Sequence, residues 1–127
     1  MPYKTKWEPN GIIWEFYDYV TAQEISMAND EFFSDQRSDR ARFQIIDASR
    51  VTGVEWEERN IREAAAYDLG AETILKNIKV AYVATDDKII DKLEKYIDIS
   101  KRLNSSWKFK GFGDMESAQE WVSSRNA

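Results

Sequence analysis

The chain of 127 residues contains no histidine and no cysteine, and only two prolines and five glycines. Each shortage closes a route. Without imidazole or thiol, no Ser-His-Asp or Cys-His nucleophile can be assembled, and no thiolate redox centre. Zinc, haem and iron–sulfur groups lose their usual ligands, and no disulfide can form. The five glycines (Gly11, Gly53, Gly70, Gly111 and Gly113) spell neither a dinucleotide-binding loop nor a phosphate loop. No apolar run approaches the roughly 18 residues needed to span a bilayer, so no membrane insertion is expected. Met1-Pro2-Tyr3-Lys4 lacks the apolar stretch of a secretion signal, which points to the cytoplasm. The length suits one domain over 1–127.

Aromatics and charge are what the chain has in quantity: five Trp, six Tyr, six Phe, 32% charged residues and a net charge of −5. That net charge argues against broad contact with a nucleic-acid backbone. The charge is uneven, with 8 basic and 14 acidic residues in 1–70 against 10 and 9 in 71–127. Asp87, Asp91, Glu94 and Asp98 interleave with Lys88, Lys92, Lys95 and Lys101, however, as on a solvated helix face. No nucleic-acid partner is expected.

Periodicity gives the elements. Residues 3–8 and 12–17 alternate in the strand manner around Pro9-Asn10-Gly11, whose Asn-Gly pair tolerates the positive φ angles of a tight hairpin. Thr21 and Glu24 have capping-box spacing ahead of Ile25, Ala28, Phe32 and Phe33. Phe43 to Asp47 reads as a short strand ending in Asp47-Ala48-Ser49. Glu55 to about Lys76 reads as a long helix with Ile61, Ala64, Ala65, Asp68, Ala71 and Leu75 on one stripe.

Ile78 to Ala84 has the near-continuous apolar character of a strand covered on both faces. Thr85 or Asp86 caps a helix with the stripe Ile89, Ile90, Leu93, Ile97 and Leu103. Trp107 to Phe112 alternates aromatics with Lys108 and Lys110, as at a protected sheet edge, and Asp114 caps a last helix. The order β-β-α-β-α-β-α-β-α predicts an α/β fold. Its sheet is mixed, mostly parallel and five-stranded, opened by an N-terminal hairpin and accompanied by four helices.

This order, and the segment Ile46-Asp47-Ala48-Ser49-Arg50-Val51-Thr52-Gly53-Val54-Glu55-Trp56, resemble the STAS superfamily and its SpoIIAA-like branch of small stand-alone bacterial domains. The corresponding family stretch has the type Leu-Asp-Leu-Ser-Gly-Leu-Thr-Phe-Ile-Asp-Ser. Asp47, Ser49 and Thr52 match it. In anti-sigma-factor antagonists of the family the final serine is phosphorylated by a partner kinase, and here that position is Trp56. The resemblance therefore implies a non-enzymatic regulatory domain, working through protein contact and without the phosphoserine switch.

Three groups of residues are candidates for a site. Val54, Glu55, Trp56 and Arg59 would form a partner-binding surface if the indole is exposed; otherwise Trp56 is a staple or plain core. The hairpin, residues 3–17, is a second such surface, and a homo-oligomer, a dimer first, is expected. Asp47, Ser49, Thr85, Asp86 and Asp114 fall at expected strand ends, where α/β sheets bind ligands. Their carboxylates would suit Mg²⁺ in a metal-dependent enzyme, or else serve as helix caps and a turn. Lastly, the aromatics would either fill the core or line a place between helices and sheet for a small lipid- or quinone-like ligand, as the comparison of STAS domains with Sec14-type carriers suggests. No catalytic residue, metal ligand or cofactor is assigned.

Overall fold

Strand alternation puts Tyr3, Thr5 and Trp7 on one side of the first strand and Lys4 and Lys6 on the other. A computed structural model of the chain describes residues 3–71, 78–103 and 106–124. In it β1 (Tyr3–Glu8) pairs antiparallel with β2 (Gly11–Val20), with Glu8 opposite Gly11 and Tyr3 opposite Phe16. Pro9 and Asn10 form the two-residue turn, yet neither Asn10 nor Gly11 takes a positive φ. Glycine at 11 serves a close approach instead. A Cβ there would lie 2.5 Å from the ring of Phe43, its neighbour on the next strand.

The remaining elements follow the expected order. They are α1 (Ala22–Ser34), a short 3₁₀ turn (Gln36–Arg40), β3 (Phe43–Val54), α2 (Glu58–Ala71), β4 (Lys79–Val83), α3 (Asp87–Arg102), β5 (Lys108–Phe112) and α4 (Met115–Ser123). The fold is α/β with a five-stranded mixed sheet, antiparallel between β1 and β2 and parallel from β2 to β5. The capping box forms: the Thr21 hydroxyl accepts from the Glu24 amide at 3.2 Å, and Glu24 accepts from the Thr21 amide at 2.9 Å.

Two boundaries differ from expectation. β3 does not end at Asp47 but runs twelve residues to Val54, because Arg50 to Val54 continue pairing with Tyr17 to Val20 of β2. Pairing with a strand already in place outweighs the weak intrinsic preference of Ser49-Arg50 and Gly53 for extended structure. The register shifts between Glu15 and Tyr17 and again between Asp18 and Tyr19, where Asp18 adopts φ 60°. Such bulges bend a strand and strengthen its twist. α2 begins at Glu58 rather than Glu55, which leaves Glu55 to Glu57 as a connection. Its expected continuation through Leu75 and Lys76 lies outside the described residues.

Strand order in the sheet is β1-β2-β3-β4-β5, with no reversal. Right-handed crossovers between strands added in sequence set their helices on one face. Accordingly Phe32 of α1, Ile61 of α2 and Tyr96 of α3 share one core with Trp14, Phe16 and Tyr82 of the sheet. α4 covers the opposite face, where Ala118 and Val122 pack on Ile13, Phe43, Ile45, Ala81 and Val83. Lys79 ties down the end of α4, donating to the carbonyls of Trp121 at 3.1 Å and Ser124 at 2.6 Å. Cations are favoured at such C-termini.

β5 is an edge, and Lys108 and Lys110 face solvent there as expected. In α3 the inward row is Ile89, Leu93, Tyr96 and Ser100, at spacings of four, three and four that return to one helix face. Leu103, expected inward, is 39% exposed just beyond the helix end.

Candidate functional site

The face of the sheet under α1, α2 and α3 is where side chains leave room. Alternation brings Trp14 and Phe16 of β2, and Gln44, Ile46 and Ala48 of β3, to this face. Opposite them the helices present Ala28 and Ala64 alongside Ile89 and Leu93, and the short alanines leave a chamber of about 90 Å³. Its lining is mostly apolar, but two polar groups stand out. Trp14 is 2% exposed and Gln44 is 4% exposed. Among the described residues neither the Trp14 Nε1–H nor the Gln44 Nε2 amide has a hydrogen-bond partner. Leaving a buried donor unpaired costs about 1–3 kcal/mol.

Trp56 closes one wall. The sequence leaves it open between an exposed anchor and a staple or core residue; it is only 7% exposed, and its ring stacks on Tyr96 with centroids 5.4 Å apart. The flanking acids Glu55 and Glu57 are exposed, but the chain between β3 and α2 turns the indole inward between them. Four hydrogen bonds hold that turn. Lys92 donates from Nζ to the carbonyls of Val54 at 3.2 Å and Trp56 at 3.5 Å. The Glu55 amide donates to the Val20 carbonyl at 2.8 Å, and the Glu55 carboxylate accepts from the Ala22 amide at 3.1 Å. Of the four residues expected to meet a partner, Val54 lines the chamber with Trp56, while Glu55 and Arg59 face solvent.

The chamber adjoins a cleft. α2 packs along α3, whereas α1 and α2 diverge and leave a space of about 320 Å³ between them. Ile25, Asn29, Trp56 and Ala64 line both spaces. Gln23, Ser26, Asp30, Asn60 and Glu63 make the outer rim polar. At one end the two helices are linked by Glu55 and Ala22; at the other the Tyr67 hydroxyl donates to Asp30 at 3.2 Å. The span along α1 from Ala22 to Asp30 is about 12 Å at the helical rise.

A third, shallower groove lies against the hairpin, between Trp7 and Phe32. Arg37 covers it, with its guanidinium 4.5 Å from the Trp7 ring centroid and two hydrogen bonds to Asp35 at 3.0 and 2.8 Å. These bonds, with one from the Arg37 amide, hold the Asp35 carboxyl down at about 2. Nearby, burial and a 2.8 Å hydrogen bond donated to Glu31 push the Tyr3 phenol up to about 12. The Tyr3–Glu31 hydrogen bond and the stacked Trp7 and Phe32 rings dock the hairpin on α1.

The sequence leaves Asp47, Ser49, Thr85, Asp86 and Asp114 open between a cation pocket at the strand ends and service as caps and a turn. Asp47 and Ser49 lie inside β3, and Asp47 accepts from the Ser49 amide and hydroxyl at 3.0 and 2.7 Å. Thr85 is an exposed residue before α3, and Asp86 caps that helix through the Lys88 and Ile89 amides. Asp114 caps α4 through the Ser117 amide at 2.7 Å, which lowers its carboxyl from the ordinary value. Among the described residues no group of three or more Asp, Glu, His or Cys is placed to hold a metal ion. The premise itself fails, because a sheet whose order never reverses has no crevice at a switch point.

Trp14 was among the aromatics weighed for a place between helices and sheet, but Gln44 was missed as a site residue. A signal existed: Gln44 is a polar residue inside the apolar run Phe43-Gln44-Ile45-Ile46, at an inward position once β3 is recognised.

Among the described residues no helix is long and apolar enough to cross a membrane. No protein-family model matches the chain, and no curated protein matches it. A solved structure does. It is an uncharacterized protein of the DUF3478 family, with a SpoIIAA-like fold, from Shewanella loihica PV-4. The two are 12% identical; the match covers 94% of this chain and 91% of that one, with a TM-score of 0.59. The fold expected from the order of elements is thus met in three dimensions, and the chain has a SpoIIAA-like fold.

Proposed function

We propose that this is a non-enzymatic recognition domain of the cytoplasm that binds a small, largely apolar ligand between the sheet and helices α1 to α3. The observation that carries the reading is the chamber itself, an apolar space of about 90 Å³ that meets a wider cleft between two diverging helices. Protein interiors are otherwise close-packed, and apolar cavities of about 150 Å³ in other proteins take up benzene or xenon. The size favours a compact ligand, or the compact end of a longer one, over a whole lipid or quinone. Pressurising the protein with xenon tests this by NMR. The methyl signals of Ile46, Val51, Ile89 and Leu93 should shift saturably, and unmoved signals would remove the reading.

A second reading is contact with protein, beginning with a second copy of the chain. It is supported by the part of β2 and β3 that runs past the end of β4, where Tyr19 is 57% exposed and packs beside Gly53. Glu55 and Arg59 are exposed in the adjoining segment, and Val54 ends β3. Sedimentation of the wild type and of a Tyr19→Ala, Arg59→Glu variant tests it. A dimer that becomes monomeric supports the surface; an unchanged state counts against it.

A further inference from the structure

The cleft beside the chamber has a chemical character of its own. Gln23, Ser26 and Asp30 recur along α1 at spacings of three and four, and Asn60, Glu63 and Tyr67 do the same along α2, so each helix turns one polar row to the gap. Among the described residues the charged side chains lining it are Asp30 and Glu63, both acidic. α1 itself holds no lysine or arginine. Asp30 accepts from a neutral donor, the Tyr67 hydroxyl, at 3.2 Å. Glu63 meets Arg59 at 3.9 Å, but these side chains are 70% and 83% exposed, and solvent screens most of so long a pairing. Two aromatic side chains, Trp56 and Tyr67, line the same cleft. Carboxylates and aromatic rings without a lining base are surroundings suited to an organic ammonium.

The chamber is of the opposite character, apolar with one base. Lys92 lines it from α3 and is absent from the cleft. Its ammonium is held at the turn between β3 and α2, where it donates to the carbonyls of Val54 at 3.2 Å and Trp56 at 3.5 Å. A guest's positive head is therefore repelled from the chamber by a like charge and drawn to the cleft by two opposite ones. An anion meets the reverse, since Asp30 and Glu63 lie across its approach to Lys92. Trp14 Nε1 and Gln44 Nε2 are sealed within the walls and play no part in choosing the guest.

We infer that chamber and cleft together take an amphiphilic organic cation, its ammonium between Asp30 and Glu63 and its hydrocarbon end in the chamber. This rests on the ligand-binding reading above and adds the ligand's charge and its orientation. Ile25, Asn29, Trp56 and Ala64 line both spaces, so one molecule can occupy the two at once. The chamber's volume of about 90 Å³ suits a short alkyl end.

The test compares hexylammonium, hexanol and hexanoate at pH 7, three probes with one chain length and heads of different charge. Each is titrated into isotope-labelled protein, following the methyl signals of Ile46 and Leu93 for the chamber and the backbone amides of Asp30 and Glu63 for the cleft. Hexylammonium should bind about tenfold more tightly than hexanol and move both sets of signals, with hexanoate the weakest of the three. The double variant Asp30→Asn, Glu63→Gln changes two exposed side chains to isosteres. It should bring hexylammonium down to the affinity of hexanol while leaving hexanol binding unchanged. Equal binding of hexylammonium and hexanol, or a preference that survives the double variant, overturns the cation assignment but leaves the apolar chamber standing. Tightest binding of hexanoate also overturns it and gives the choice of head to Lys92. Failure of all three probes overturns it too, and if xenon also leaves the methyl signals unmoved the ligand-binding reading falls with it.

Discussion

Gln44 and Ile45 are neighbours in β3 and face opposite sides of the sheet, and the two sides are built differently. Under α4, Ile45 is fully buried among Ile13, Phe43, Ala81 and Val83, and one nine-residue helix closes the layer. Under α1 to α3, Gln44 keeps an unpaired donor beside a chamber, although three helices and many aromatics are available to fill it. More covering material has produced looser packing. The difference teaches that the α4 face is filled by apolar side chains alone, while the other face carries an arrangement that stability alone would not select.

Substitutions on either side sharpen that contrast. The largest effect is expected at Ile45→Ala, which opens a cavity in the close-packed layer and should cost about 2–5 kcal/mol in chemical denaturation. Gly11→Ala comes next. The added methyl would meet the Phe43 ring at 2.5 Å and should cost about 1–3 kcal/mol as the ring and strand give way. On the other face Gln44→Met should act in the opposite direction and stabilise by about 1 kcal/mol, since it replaces an unsatisfied amide with apolar volume. A loss of several kcal/mol there would erase the distinction between the faces.

Two smaller effects concern the docking of the hairpin on the looser face. Tyr3 holds its proton up to about 12 in the fold against about 10 when unfolded, so its stabilising contribution is complete below 10. That contribution is lost as pH rises from 10 to 12, and Tyr3→Phe should remove this part of the alkaline decline. Asp35 behaves in the opposite sense. Its carboxyl is held at about 2, so its contribution is present above about 4 and lost as pH falls towards 2. Asp35→Asn should flatten the acid limb in that window, measured by thermal unfolding across pH. The group is exposed, so this is the smallest change of the set.

Local chemistry was legible in the sequence wherever a few adjacent residues decide the outcome. The Thr21–Glu24 box, the Asp86 and Asp114 caps, the hairpin and the lysines of the β5 edge all belong here. So did the order of elements, and with it the fold. What stayed hidden depends on partners distant in sequence. The length of β3 is set by β2, not by Ser49-Arg50 themselves. Trp56 between two acids looks like a surface residue until Tyr96, forty positions later, supplies a ring to stack on. The chamber depends on how far α1 and α2 diverge, and no periodicity records that. Even so, a glutamine in an apolar strand was a visible irregularity, and it marks the face where the unfilled volume lies.

Trp56 also bears on how such a domain could be controlled. It occupies the position that resemblance aligns with a phosphorylated serine, yet its side chain is a wall of the chamber. A covalent mark is written by one enzyme, erased by another, and persists in between like a memory. On the ligand-binding reading, the same position would respond to occupancy instead, and its state would track a concentration from moment to moment. The position that stores a past event in the anti-sigma-factor antagonists the sequence resembles would, on that reading, work here as a gauge.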